Sequence, residues 1–107
     1  MRTKNNGELT LKNIGEIVTL VGWCSKKRNL GGLVFIDLRD RYGITQLVVE
    51  PSNINYKIAS EVKNEYVLQA TGTVVERQSK NVNLVTGDIE VIVDTLIILN
   101  QAINPPL

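Results

Sequence analysis

Leu33-Val34-Phe35-Ile36-Asp37-Leu38-Arg39-Asp40-Arg41-Tyr42-Gly43-Ile44-Thr45-Gln46-Leu47-Val48-Val49-Glu50 is the stretch on which the fold turns. Side chains along a strand point alternately to opposite faces. In residues 33–39 that alternation puts Val34, Ile36 and Leu38 on one face and Phe35, Asp37 and Arg39 on the other. Residues 44–50 repeat the pattern, with Leu47 and Val49 on the core side and Gln46 turned outward beside Val48. Between them, Asp40-Arg41-Tyr42-Gly43 supplies a tight connection whose glycine can take a positive φ. The stretch therefore predicts an antiparallel hairpin with one apolar face. The chain's single phenylalanine is on the other face, beside two charges. A phenylalanine is ordinarily a core residue, but these neighbours place Phe35 outside.

Working outward, residues 17–28 predict a preceding strand, with Asn29-Leu30-Gly31-Gly32 as the turn into the hairpin. On the other side Pro51 ends pairing. Ser52-Asn53 can cap a short helix with Ile54, Ile58 and Val62 at fourfold spacing on one face. Residues 66–77 and 89–99 predict two more strands, separated by the loop 78–88, polar in its first half. Residues 10–13 add a helical turn ahead of the first strand, and Asn104-Pro105-Pro106 has the character of a linker. Three strands, a helix and two strands is the element order of the OB fold, an all-β five-stranded Greek-key barrel with one short helix between strands 3 and 4. An open antiparallel sheet capped by the helix is the alternative, although closure removes edges that strands this long would leave exposed. The expected organisation is one domain over residues 1–103, with 1–16 as an N-terminal extension and 104–107 as the start of a linker.

Composition narrows the function classes. A chain of 107 residues builds one core, and its 43% hydrophobic and 21% charged residues are those of a soluble globular chain. A lone cysteine, Cys24, and no histidine exclude an internal disulfide and a Cys/His zinc site. No run of about 18 apolar residues occurs, so neither a membrane span nor secretion is expected, and a reducing, cytoplasmic setting fits. No histidine base, Walker-type glycine loop or partnered serine provides a catalytic set.

Net charge is only +1, short of the basic balance that announces nucleic-acid binding by itself. Locally, however, Lys26, Lys27, Arg28, Arg39 and Arg41 face only Asp37 and Asp40 in sequence. Alternation turns Glu90 outward opposite core-facing Ile89, Val91 and Val93. Arg28 ends the first strand at the lip of its hairpin, while Arg77, Asn81 and Asn83 surround the loop between strands four and five, and in OB barrels these two loops flank the binding face. Phe35, Gln46, Glu90, Arg28, Arg77, Asn81 and Asn83 thus offer a stacking ring, amides, a carboxylate acceptor and cations. Single-stranded nucleic acid requires that combination. Lys26 and Lys27 are candidates for phosphate contact.

Several segments carry a closer likeness. Met1-Arg2-Thr3, Gly7-Glu8-Leu9, Gly22-Trp23, Lys26-Lys27-Arg28, Leu30-Gly31-Gly32-Leu33, Phe35-Ile36-Asp37-Leu38-Arg39-Asp40-Arg41, Gly43 with Gln46, Asn64-Glu65-Tyr66, Thr71-Gly72-Thr73-Val74, Thr86-Gly87-Asp88-Ile89-Glu90-Val91 and Leu99-Asn100 stand in this order over nearly the whole chain. Together they resemble the N-terminal anticodon-binding domain of bacterial-type aspartyl-tRNA synthetases, a class II family. The family usually has arginines where Lys26 and Lys27 stand, an aspartate at Asn29 and a longer loop after Asn83. The resemblance implies that Phe35 stacks on the central anticodon uridine and Gln46 hydrogen-bonds it. It also implies that Arg28, Arg77, Asn81, Asn83 and Glu90 surround the first and third anticodon bases. The implied partner is the anticodon stem-loop of aspartate tRNA. The ATP and magnesium sites of such a ligase belong to a downstream domain, so this chain itself is expected to hold no cofactor and to catalyse nothing. A monomeric chain within a homodimeric parent is expected. The rivals are a sequence-tolerant single-strand binder, an OB barrel used for protein contacts, and the anticodon domain of a lysyl or asparaginyl synthetase.

Overall fold

The computed structural model describes residues 2–101. The expected linker at Asn104-Pro105-Pro106 lies outside them. Five strands, β1 (Ile17–Leu30), β2 (Leu33–Asp40), β3 (Gly43–Val49), β4 (Val67–Glu76) and β5 (Ile89–Asn100), close into a barrel in the order β1-β2-β3-β5-β4, and helix α1 (Tyr56–Glu61) lies between β3 and β4. All pairings are antiparallel except β3 with β5, where Leu47 is opposite Val91 and Val48 opposite Ile92. Closure is what stabilises strands this long, since it leaves no unpaired edge. The open-sheet alternative is thereby excluded.

Inside, the alternation holds. Val34, Ile36, Leu38, Leu47, Val49, Ile89, Val91 and Val93 are all buried, joined by Val18, Leu20, Cys24, Leu68, Ala70 and Val74 from the other strands. The first turn is Gly31-Gly32, with φ of +60° and +82°. Two consecutive positive φ values are what a two-residue hairpin turn twisted like its strands requires, and glycine adopts them at no steric cost. The second turn is held by Asp40, whose Oδ1 accepts from the Tyr42 and Gly43 amides at 2.8 and 3.1 Å.

Two features differ from the sequence expectation. The helix begins at Tyr56, so Ile54 falls in the turn before it, 92% exposed. The buried positions are Ala59 and Val62, three apart, with Tyr56 packed at the margin of the core. Asn53 causes the late start. Its Oδ1 accepts from the Asn55 amide at 2.6 Å, and its Nδ2 reaches the Val93 carbonyl of β5 at 2.7 Å, so residues 53–55 are held to the barrel instead of joining the helix. The N-terminal segment, for its part, is more than an appendage. Leu9 is in the core, and fully buried Asn6 donates from its amide to Asp40 and from Nδ2 to the Val21 carbonyl, while its own carbonyl accepts from Thr45. A 3-10 turn at Leu11–Asn13, capped by Thr10, then leads into β1.

Candidate nucleic-acid interface

Strict alternation from buried Cys24 would send Lys26 and Arg28 inward. The structure avoids this with a bulge at Ser25: Cys24 is opposite Leu38, but Lys26 is opposite Asp37 and Arg28 opposite Phe35. One extra residue shifts the facing of everything after it. Arg28 therefore joins Phe35 on the outer surface, its guanidinium 5.4 Å from the ring centroid. Lys27 is turned to the core side opposite Ile36, and its Nζ donates to the Ser60 carbonyl of α1 at 2.5 Å. Of the two candidate phosphate ligands, only Lys26 stays free on the outer face.

Gln46 is the centre of the site. It pairs opposite Asp37, beside Phe35's partner Val48, on the outer side of β3, yet only 5% of its surface is accessible. Its Oε1 accepts from Arg28 Nη2 and Arg77 Nη2, each at 3.0 Å, and its Nε2 donates to Glu90 Oε1 at 2.8 Å. Those partners fix the amide orientation. Turned over, Gln46 would set its NH2 against two guanidinium donors and its oxygen against a carboxylate. One Nε2 hydrogen is left for a ligand. Arg77 follows the last residue of β4, where its backbone amide donates to the Asp88 carbonyl across the mouth of the β4–β5 loop at 2.9 Å. Its Nε–H is buried without a partner among the described residues, a donor an incoming acceptor could satisfy.

These groups line an open groove of about 650 Å³. Its apolar walls include Leu33, Val48, Val75 and Ile92; of these, sequence reasoning set only Val48 on the outer face, although alternation places Ile92 there as well. Flat rings suit such walls, while the polar groups at the floor can read an edge. The charges nearly balance: the Arg28 and Arg77 guanidinium groups share the groove with the Glu90 and Glu50 carboxylates, Gln46 standing between the arginines and Glu90, and Glu76 is held by Lys80 at 2.5 Å. The groove is accordingly built for recognition more than for general attraction of polyanions.

Five of the residues singled out from sequence, Phe35, Gln46, Arg28, Arg77 and Glu90, meet here. Asn81 and Asn83 do not line this groove. Asn81 organises its own loop, its Oδ1 accepting from the Asn83 amide at 3.0 Å and its backbone pairing with Gly87, while Asn83 borders a separate shallow depression with Arg39, Tyr42 and Ile44. Sequence reasoning treated Tyr42 only as a turn residue; it stands half exposed, with the Arg2 and Arg41 guanidinium groups 5.4 and 5.6 Å from its ring centroid. Among the described residues no cluster of His, Cys, Asp or Glu could hold a metal ion, and no helix is long and apolar enough to cross a membrane.

A barrel of this topology with an aromatic-and-amide groove is matched over residues 18–99 by the tRNA anticodon model for OB-fold nucleic acid binding domains. The chain belongs to that family. It is 54% identical over 101 residues to the aspartate–tRNA ligase of Mycoplasma capricolum, an alignment covering 94% of this chain and 17% of that protein. With the aspartate–tRNA ligase of Amoebophilus asiaticus it shares 55% identity over 109 residues, or 99% of this chain and 19% of the relative. The chain thus corresponds to the OB-fold domain of these ligases and spans less than a fifth of their length. Among solved structures, the aspartyl tRNA synthetase from Entamoeba histolytica superposes with a TM-score of 0.78 over 90% of this chain and 21% of its own, at 20% identity, a likeness of fold.

Proposed function

We propose that this OB domain recognises the anticodon loop of aspartate tRNA and positions that tRNA for ATP-dependent aminoacylation by the remainder of an aspartate–tRNA ligase. The observation that carries the reading is the Gln46 amide, held in one orientation by Arg28, Arg77 and Glu90 beside an outward aromatic ring. A base stacked on Phe35 gains affinity irrespective of its identity. Identity is read at Gln46, whose remaining Nε2 hydrogen meets a carbonyl oxygen well and an amino group badly. Uracil presents a carbonyl where cytosine presents an amino group, so a fixed donor separates them. Five residues supply this site, and Lys26 is left to meet phosphate. ATP and magnesium act in the part of the ligase beyond this chain. The chain is monomeric, the ligase is a cytoplasmic homodimer, and the dimer contacts lie outside this domain.

The test is a titration of the protein with three ligands: an aspartate tRNA anticodon stem-loop, the same loop altered at its central base, and an unstructured DNA of equal length. The matched stem-loop is expected to bind tightest. Equal affinity for all three would replace this reading with that of a sequence-tolerant single-strand binder.

A further inference from the structure

An OB barrel typically covers roughly 4 to 16 nucleotides, more than the groove beneath Phe35 holds. The outer row of β2 continues past Phe35 through Asp37 to Arg39, four residues on, or about 13 Å along the strand. There the surface becomes basic and aromatic. Arg39 is exposed, opposite the exposed Trp23 of β1, and has no acceptor among the described residues. Tyr42 projects from the turn with 52% of its surface accessible, and Arg2 and Arg41 lie within cation–π reach of its ring. Val85 and Asn83, from the β4–β5 loop, close the far side of a depression of about 210 Å³.

The one carboxylate in this turn does not neutralise it. Asp40 spends Oδ1 on the Tyr42 and Gly43 amides and Oδ2 on the Asn6 amide, so it is committed to the backbone, and its only ion pair among the described residues is a long one of 3.9 Å to Arg2. Arg39 and Arg41 are left as cations beside an exposed ring, Arg39 in the same outer row as Phe35 and Arg41 exposed in the turn that follows. Stacking surface plus unpaired guanidinium groups is the chemistry that holds a nucleic-acid strand without reading it.

We propose that the β2–β3 turn is a second, sequence-independent contact for the same RNA, in which Arg39 and Arg41 hold phosphates and Tyr42 stacks on a nucleotide flanking those in the groove. The inference rests on the anticodon reading for the identity of the RNA but not for its own test. The double variant Arg39→Gln/Arg41→Gln is compared with the parent protein on the matched stem-loop, on the loop altered at its central base, and on a trinucleotide short enough to occupy the groove alone. The double variant should bind both stem-loops about tenfold more weakly, keep the ratio between them, and leave trinucleotide binding unchanged. Its log-log dependence on salt should flatten by about 1.4, at roughly 0.7 for each lost phosphate contact on a single strand. Arg39→Lys/Arg41→Lys keeps both charges and should retain the parent slope, which separates charge loss from a disturbed turn. Tyr42→Ala should weaken stem-loop binding with the slope intact. Unchanged affinity and slope in the glutamine variant would overturn the proposal, as would a collapse of the matched-to-altered ratio. If the parent protein itself failed to discriminate the two loops, the anticodon reading would fall while the slope still decided the turn.

Discussion

Phe35 offers a base a stacking surface from outside the core, with the Arg28 guanidinium 5.4 Å from its ring centroid. Gln46 is tied instead to three groups that come from 18, 31 and 44 residues away. The two residues therefore predict different outcomes. Phe35→Ala removes a partly buried stacking surface outside the core and should cost about 1 to 3 kcal/mol in stem-loop binding, with far less effect on melting than the roughly 3 to 5 kcal/mol expected of a core phenylalanine. A variant that melts far below the parent, or binds as tightly, would contradict the placement. Gln46→Ala should abolish discrimination at the central base and also lower stability. It strands two guanidinium donors and a carboxylate, at about 1 to 3 kcal/mol for a buried group left without its partner; thermal melts and matched-versus-altered titrations separate the two effects. Cys24 offers a pH test. Burial raises its thiol above the ordinary 9.0, outweighing the lowering effects of the Lys26 backbone and the Lys27 charge. The unfolded thiol then ionises first, so this contribution to stability is intact below pH 9.0 and declines as pH rises through that value toward the folded pKa. The alkaline fall in melting temperature should be shallower in Cys24→Ala.

At the level of elements, the strands were legible because period two is a property of neighbouring residues. The bulge and the helix register were not. Ser25 has no local signature as a bulge. It is fixed by the long-range pairing of β1 with β2, which must satisfy both the Cys24–Leu38 and Arg28–Phe35 partnerships. The fourfold spacing of Ile54, Ile58 and Val62 is real, but Asn53 spends its side chain on β5 and the Asn55 amide, which delays the helix until Tyr56. A pair of substitutions distinguishes the two registers. Ile54→Ser should change the unfolding free energy by under about 0.5 kcal/mol, as an exposed position does. Val62→Ala, at a fully buried site, should cost about 2 kcal/mol through lost burial and an unfilled cavity. Chemical denaturation of both measures the contrast. Comparable losses would restore the register read from spacing.

For the whole molecule, what matters is how the cations are spent, and sequence could count them but not assign them. Lys26, Lys27, Arg28, Arg39 and Arg41 count as one basic cluster along the chain, yet the barrel divides it. Lys27 is tied to α1, Arg28 joins the Gln46 network, and Lys26 and Arg39 remain free on the outer face, with Arg41 exposed in the β2–β3 turn. Elsewhere Lys80 is held by Glu76, and Arg77 faces Gln46 beside Glu90. About three cations are therefore available to meet phosphate on the side where the groove opens, in a protein whose net charge is only +1. Each phosphate neutralised on a single-stranded loop contributes roughly −0.7 to the slope of log affinity against log salt, so stem-loop binding should show a slope near −2. Weak dependence of this kind means that most of the affinity comes from stacking and hydrogen bonds, which salt does not screen. The measurement is a set of titrations across monovalent salt concentrations at fixed pH. A slope steeper than about −5 would require several more phosphate contacts than this face supplies, and the RNA would then have to wrap onto surface beyond the groove and the β2–β3 turn.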